Sequence, residues 1–142
     1  MVEFRYARGR IVDSIRYLSE EMREFQDDYA DCTWQDYQTD RKLQKLIDRT
    51  VENILTALIE VCGAFLTQRG IAAESYGDAL RKAAGLLNLD EQEQNDLAGL
   101  ALLRNRLAHR YLNFRWQTIR AFSDKRGLIA RVAEFLLQKA EE

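Results

Sequence analysis

Between Leu43 and Leu66 the chain carries apolar residues at the spacing of a long, deeply buried helix. Leu43, Leu46, Ile47, Val51, Ile54, Leu55, Leu58, Ile59, Cys62, Phe65 and Leu66 recur every three or four positions, which is the period of an α-helix and not of a strand. The stripe is wide, so this helix is expected to be covered on several sides and to be the element around which the others pack. Gly70, just past Arg69, is its expected C-cap.

The rest of the chain follows the same period. There is no proline, so helices must stop at glycine, asparagine or polar turns. Ile11, Ile15, Leu18, Met22 and Phe25 place a helix at about residues 9–29. Asp27, Asp28 and Asp31 oppose the macrodipole at its end, so fraying is expected there. Ser75 is the candidate N-cap of a third helix running through Ala79, Leu80, Ala83, Ala84 and Leu87, with Asn88 as its stop. Asp90 and Glu93 have the spacing of a capping box and open a fourth helix, which carries Leu97, Leu100, Ala101, Leu103, Leu107 and Ala108. A fifth, about 117–140, carries Ile119, Phe122, Ile129, Val132, Ala133, Phe135 and Leu136, with Gly127 as its weak point. No strand alternation of useful length, repeat or linker is visible. The expected fold is all-α, one domain over residues 1–142, an antiparallel bundle of about five helices.

A chain that is 46% hydrophobic and 31% charged is globular, not disordered. The net charge of −2 leaves no global footprint for nucleic acid. Its distribution is uneven, however. Residues 1–40 carry ten Asp and Glu against five Arg, a net of −5, while residues 104–126 carry seven Lys and Arg against one Asp, a net of +6. The basic segment reads either as a local anion-binding surface or as a solvated helix pair. The acidic N-terminal helix reads as a solvated face or as a face for a partner. Cys32 and Cys62 have no metal-ligand spacing and form no disulfide framework, so reduced thiols are expected. Met1–Tyr6 has no apolar signal segment, and no window is expected to reach the apolar length of a membrane span. A cytoplasmic protein without membrane contact is the expectation.

His109 is the one histidine in the chain, and histidine is the side chain best suited to exchanging protons near neutral pH. Arg104 stands five residues before it and Tyr111 two after, in the stretch Arg104-Asn-Arg-Leu-Ala-His109-Arg-Tyr111. Arg-x-x-x-x-His-x-Tyr, opening as Arg-Asn, resembles the signature of HEPN proteins of the HepT type. Glu74-Ser-Tyr-Gly-Asp-Ala-Leu and Leu87-Asn-Leu-Asp-Glu resemble that family's turns, and the resemblance covers about residues 40–115. After Tyr111 the chain reads Leu112-Asn-Phe-Arg-Trp116, where family members often have an acidic residue.

The resemblance implies a homodimeric helical bundle with metal-independent ribonuclease activity and no cofactor. It implies a toxin of a type VII toxin–antitoxin system, encoded beside an MntA-type minimal nucleotidyltransferase as antitoxin. Arg104 and His109 take its catalytic positions, Asn105 the polar position beside the arginine, and Tyr111 that of the tyrosine modified with AMP. Arg106 and Arg110 are the neighbouring candidates for contact with RNA.

On a straight helix positions 104 and 109 diverge by about 140°. Arg104 then meets His109 by its length, by a helix distortion or across a partner chain. Cleaving RNA through its own 2′-OH needs one group to accept a proton and another to give one, and a two-fold dimer supplies two histidines. Arginine suits the phosphorane charge because its guanidinium is planar and always charged. No His, Asp and Glu cluster has metal-ligand spacing, so no metal is expected. Trp34, Tyr37 and Trp116 read as base-stacking rings or as hydrophobic caps on helix ends. The rival function is a non-catalytic helical subunit that complexes with a nucleotidyltransferase or presents its substrate, because a bundle alone does not decide activity.

Overall fold

The computed structural model describes residues 8–141; Met1–Tyr6, read above for a signal segment, lies outside them. The described residues form seven α-helices and no strand: α1 (Arg8–Glu24), α2 (Trp34–Thr39), α3 (Arg41–Gln68), α4 (Tyr76–Leu86), α5 (Glu91–Arg106), α6 (Leu112–Asp124) and α7 (Arg126–Glu141). Helix α3 is the centre, touching each of the other six. Val51, Ile54, Leu55, Leu58, Val61, Cys62 and Leu66 are buried along it. Each such side chain contributes about 1.5–3 kcal/mol by leaving water. The stripe is narrower at its start than the sequence suggested, since Leu46 is 46% exposed.

Local chemistry sets the helix ends. Gly70 sits at φ 70°, and the Ile71 N–H reaches back to the Leu66 carbonyl at 3.0 Å, closing α3 in a Schellman turn. Ser75 accepts from the Asp78 N–H, and Asp90 with Glu93 forms a complete capping box. Asn88 takes the left-handed conformation just past α4. Instead of fraying, α1 widens into a π-helical turn over Phe25–Tyr29, closed by the Ala30 N–H on the Phe25 carbonyl at 2.8 Å.

Three expectations are corrected. Helix α2 was not foreseen; Thr33 and Asp36 make its capping box, but six residues are too few for a hydrophobic period to register. The expected fifth helix is two helices. It begins five residues earlier, at Leu112, and breaks at Lys125, not at Gly127; there the Arg126 Nε takes the Ser123 carbonyl at 2.9 Å. And α3 is long and apolar enough, by length and composition, to cross a membrane, although 72% of that window is buried against the rest of the bundle.

Cys32 and Cys62 are free thiols. Burial pushes the Cys62 thiol up to about 12, so it is a packing residue and not a nucleophile.

Candidate active site

The arginine–histidine stretch does not lie on one helix. Helix α5 stops at Arg106, with Arg104 and Arg106 in its last turn, where their charge complements the macrodipole. The chain then tightens: the Ala108 N–H bonds the Asn105 carbonyl at 3.3 Å and the His109 N–H bonds that of Arg106 at 3.1 Å, both i→i+3 spacings of a 3₁₀ turn. Leu107 remains buried and pins the turn to the core. His109, Arg110 and Tyr111 form the exposed connection to α6, for which Tyr111 is the N-cap residue. The divergence of about 140° expected on a straight helix therefore does not apply; the helix ends between the two residues.

The far side of the connection is fixed by ion pairing. Arg115, in the first turn of α6, meets Asp48 of α3 at 3.0 Å, and the buried Tyr37 of α2 donates to the same carboxylate at 2.7 Å. Burial holds the Asp48 carboxyl above its ordinary range, with the Tyr37 hydrogen bond and the Arg115 charge pulling the other way. Burial, then the hydrogen bond to Asp48, raise the Tyr37 phenol strongly. Trp116 stacks obliquely on Tyr37 at 5.1 Å and on Trp34 at 6.2 Å. These three rings pack on one another between α2 and α6, in the manner of hydrophobic caps.

His109 sits among rings of its own. Its imidazole centroid is 5.0 Å from Tyr111 and 4.6 Å from Phe114, and the Arg106 guanidinium lies 6.0 Å from the Phe114 centroid. The Tyr111 N–H points at His109 Nδ1 across a long 3.4 Å. An Nδ1 that accepts leaves the proton of the neutral ring on Nε2. To act as a base, the ring has to release that contact and free a nitrogen lone pair.

Arg104 stands elsewhere. It lines a cleft of about 420 Å³ with Asp13 and Tyr17 of α1 and Glu52, Asn53 and Glu60 of α3. His109 is not part of that lining. Two lining residues are held from outside the lining, where Glu21 accepts from both Tyr17 Oη, at 3.1 Å, and Asn53 Nδ2, at 2.9 Å. The structure thus brings His109 and Tyr111 together, while Arg104 lines a cleft that neither of them lines. Asn105, Arg106 and Arg110 are exposed around the turn. Phe114, Asp48 and Arg115 support the histidine connection and escaped sequence reasoning. The stretch Leu112-Asn-Phe-Arg-Trp116, without the acidic residue that family members often have shortly after the tyrosine, was the available signal. Among the described residues no three His, Cys, Asp or Glu side chains are grouped to hold a metal ion.

No curated protein and no solved structure gives a significant match to the chain. A family model does: the one described as Ribonuclease HepT-like matches residues 18–131, which contain α2 to α6 in full and the entire arginine–histidine turn. The chain belongs to the HepT-like ribonuclease family, an all-α bundle whose activity is of the ribonuclease kind.

Proposed function

We propose that this chain is the toxin subunit of a type VII toxin–antitoxin pair. It acts as a cytoplasmic homodimer that cleaves RNA without a metal through Arg104 and His109, and an MntA-type nucleotidyltransferase silences it by AMPylating Tyr111. The observation that carries the reading is His109: the sole histidine, exposed, on a connection pinned at one end by buried Leu107 and at the other by the Arg115–Asp48 pair. In such a reaction the 2′-oxygen attacks the adjacent phosphorus as its proton passes to a base. The 5′-oxygen leaves with a proton from an acid, and a 2′,3′-cyclic phosphate remains. The acid is a His109 ring protonated on both nitrogens, because a neutral imidazole N–H is too weak an acid to protonate the leaving 5′-oxygen. The partner subunit's His109, released from its Nδ1 contact, suits the base. Arg104 neutralises the phosphorane, Asn105 offers an amide beside it, and Arg106 and Arg110 meet flanking phosphates.

The separation of Arg104 from His109 within one protomer supports a site completed by a second copy. The same separation is the one observation favouring the rival, a helical subunit that binds a nucleotidyltransferase and cleaves nothing. Incubation of purified protein with labelled RNA in the presence of a chelator decides between them. Cleavage ending in a cyclic phosphate, and its loss in His109→Ala, is expected; RNA left intact by the wild type overturns the ribonuclease reading in favour of the binding subunit.

A further inference from the structure

Tyr111 is the most exposed large hydrophobic side chain among the described residues, at 69%. It occupies the N-cap of α6 with extended backbone, φ −77° and ψ 123°, and makes no side-chain capping bond. Stability at such a position is better served by Ser, Thr, Asp or Asn. The aromatic ring neither caps the helix nor fills the core, so folding gives no account of it. What it does have is a setting. Its ring adjoins the His109 imidazole at 5.0 Å, Phe114 lies 4.6 Å from His109, the Arg106 guanidinium lies 6.0 Å from the Phe114 centroid, and exposed Arg110 precedes Tyr111 in the chain. The whole lies within the +6 segment 104–126 of a chain whose net charge is −2.

The geometry points to Tyr111 as a stacking platform for the nucleobase next to the phosphate that His109 addresses, and hence to single-stranded RNA as the substrate class; this rests on the ribonuclease reading above. Aromatic rings interleaved with arginines bind single strands because every base has a π-face and the arginines follow the backbone. A base held in a duplex cannot reach a ring on a protruding turn without first unstacking. Recognition of this kind is tolerant of sequence and selective for strandedness. It uses the ring and not the hydroxyl, which separates it from any role as an acceptor of a modifying group.

The test uses the full chain and a fully 2′-O-methylated RNA oligonucleotide, which lacks the attacking hydroxyl, as a single strand and as a duplex. Binding is read by fluorescence anisotropy. A second probe carries 2-aminopurine, whose emission is quenched on stacking. Tyr111→Phe and Tyr111→Trp should bind the single strand within about two-fold of wild type, whereas Tyr111→Leu should weaken it by about 5- to 100-fold and abolish the quench, the range typical of losing one base–aromatic stack. Circular dichroism confirms that the leucine variant folds. Equal affinity of wild type and Tyr111→Leu, or duplex bound as tightly as single strand, overturns the platform. Cleavage of unmodified RNA is scored separately. Binding that depends on the ring without cleavage by the wild type supports the platform and refutes the nuclease. Cleavage with an unchanged KM in Tyr111→Leu refutes the platform and leaves the nuclease standing.

Discussion

Arg115 and Asp48 are separated by 67 positions in the chain and by 3.0 Å in space, and their contact ties the first turn of α6 to the central helix just beyond the His109 connection. The pair is mostly buried, with side-chain exposures of 21% and 14%. Arg115 Nε is buried without a hydrogen-bond partner, so the guanidinium depends on Asp48 for compensation. Removing one partner of a buried pair typically costs about 3–5 kcal/mol; with the residual exposure here, about 1–3 kcal/mol is expected for Asp48→Ala. Urea denaturation measures it. Removing both charges, Asp48→Leu with Arg115→Leu, should recover much of that loss, since the uncompensated charge goes too. A double variant as unstable as the sum of the singles would show that the two residues do not act as a pair.

His109→Ala is expected to lower RNA cleavage by a factor of about 10²–10⁴, the usual contribution of a proton-transfer group, without a change in melting temperature, because the side chain is exposed. Arg104→Lys should also fail, since an ammonium cannot reproduce a planar two-point contact with phosphate. Undiminished cleavage by a purified His109→Ala protein would remove this residue from the mechanism.

The separate surroundings of Arg104 and His109 make a sharper experiment possible. Arg104→Ala and His109→Ala chains are each expected to be inactive. A site that needs the His109 of both protomers is lost from every dimer that carries one His109→Ala chain. Random exchange of wild type with an equal amount of His109→Ala then leaves about a quarter of the dimers wild type, so the activity of the wild-type protein added falls by about half. Sites contained within single protomers lose nothing on mixing. Sedimentation of the wild-type protein as a monomer at assay concentrations would exclude the shared site directly.

Much of the bundle is readable from period and punctuation. Ile11, Ile15 and Leu18 lie on one face of α1, and Ser75, Asp90, Gly70 and Asn88 mark helix ends by chemistry that needs no tertiary context. The break at Lys125 is not readable, because it depends on where the Arg126 side chain bonds. The end of α5 is the instructive case. Leu107 and Ala108 continue the apolar period of α5, so pattern alone extends the helix through His109. What stops it is burial of Leu107 together with two i→i+3 bonds, both consequences of packing. Spacing nominates the candidate site residues, but it does not give their relative placement. Nothing in the sequence sets Arg104 against Asp13, Glu52 and Glu60 or seats His109 between Tyr111 and Phe114.

Acid should unfold the bundle from its α4–α5 side. Asp78 is held below its ordinary range by the Glu74 N–H and then by Lys82. Glu93 is lowered by the Asp90 N–H and then by Arg131, and Asp96 by Gln92 and then by Lys125. A carboxyl with a depressed folded pKa binds protons less tightly folded than unfolded. It therefore adds stability above its unfolded pKa, and that stability is lost as pH falls through the folded one. Asp48, raised by burial, and Glu24, raised by its hydrogen bond with Glu21 and then by burial, have the opposite sign and favour folding as pH falls. The three lowered carboxylates hold cap and ion-pair contacts that acid breaks, so the urea midpoint should fall below about pH 5, where carboxylates begin to titrate. Asp78→Asn should flatten that dependence and Asp48→Asn should steepen it. A midpoint that rises on acidification in the wild type contradicts this assignment of signs.

Tyr111 should be the point at which the enzyme is switched off. At 69% exposure its ring is open to a modifying enzyme without local unfolding, and its position beside His109 means that whatever is attached falls at the site of chemistry. Transfer of AMP from ATP forms a bond between the phenol oxygen and the α-phosphorus, releases pyrophosphate and gives up the phenolic proton. The product carries a negative phosphodiester and a bulky nucleoside on the residue that directly follows Arg110. That charge can pair with the arginines that would otherwise meet RNA, and the nucleoside occupies the space a substrate needs, so binding is lost through both charge and volume. Tyr111→Phe lacks the acceptor oxygen but retains the ring. It should keep much of the wild-type cleavage and resist inactivation when incubated with ATP and the cognate nucleotidyltransferase, whereas wild type gains one or more AMP masses at this residue and loses activity in proportion. Mass spectrometry of the digested protein locates the label. Inhibition that proceeds equally in Tyr111→Phe, or AMP found only on other tyrosines while activity is lost, would move the switch elsewhere.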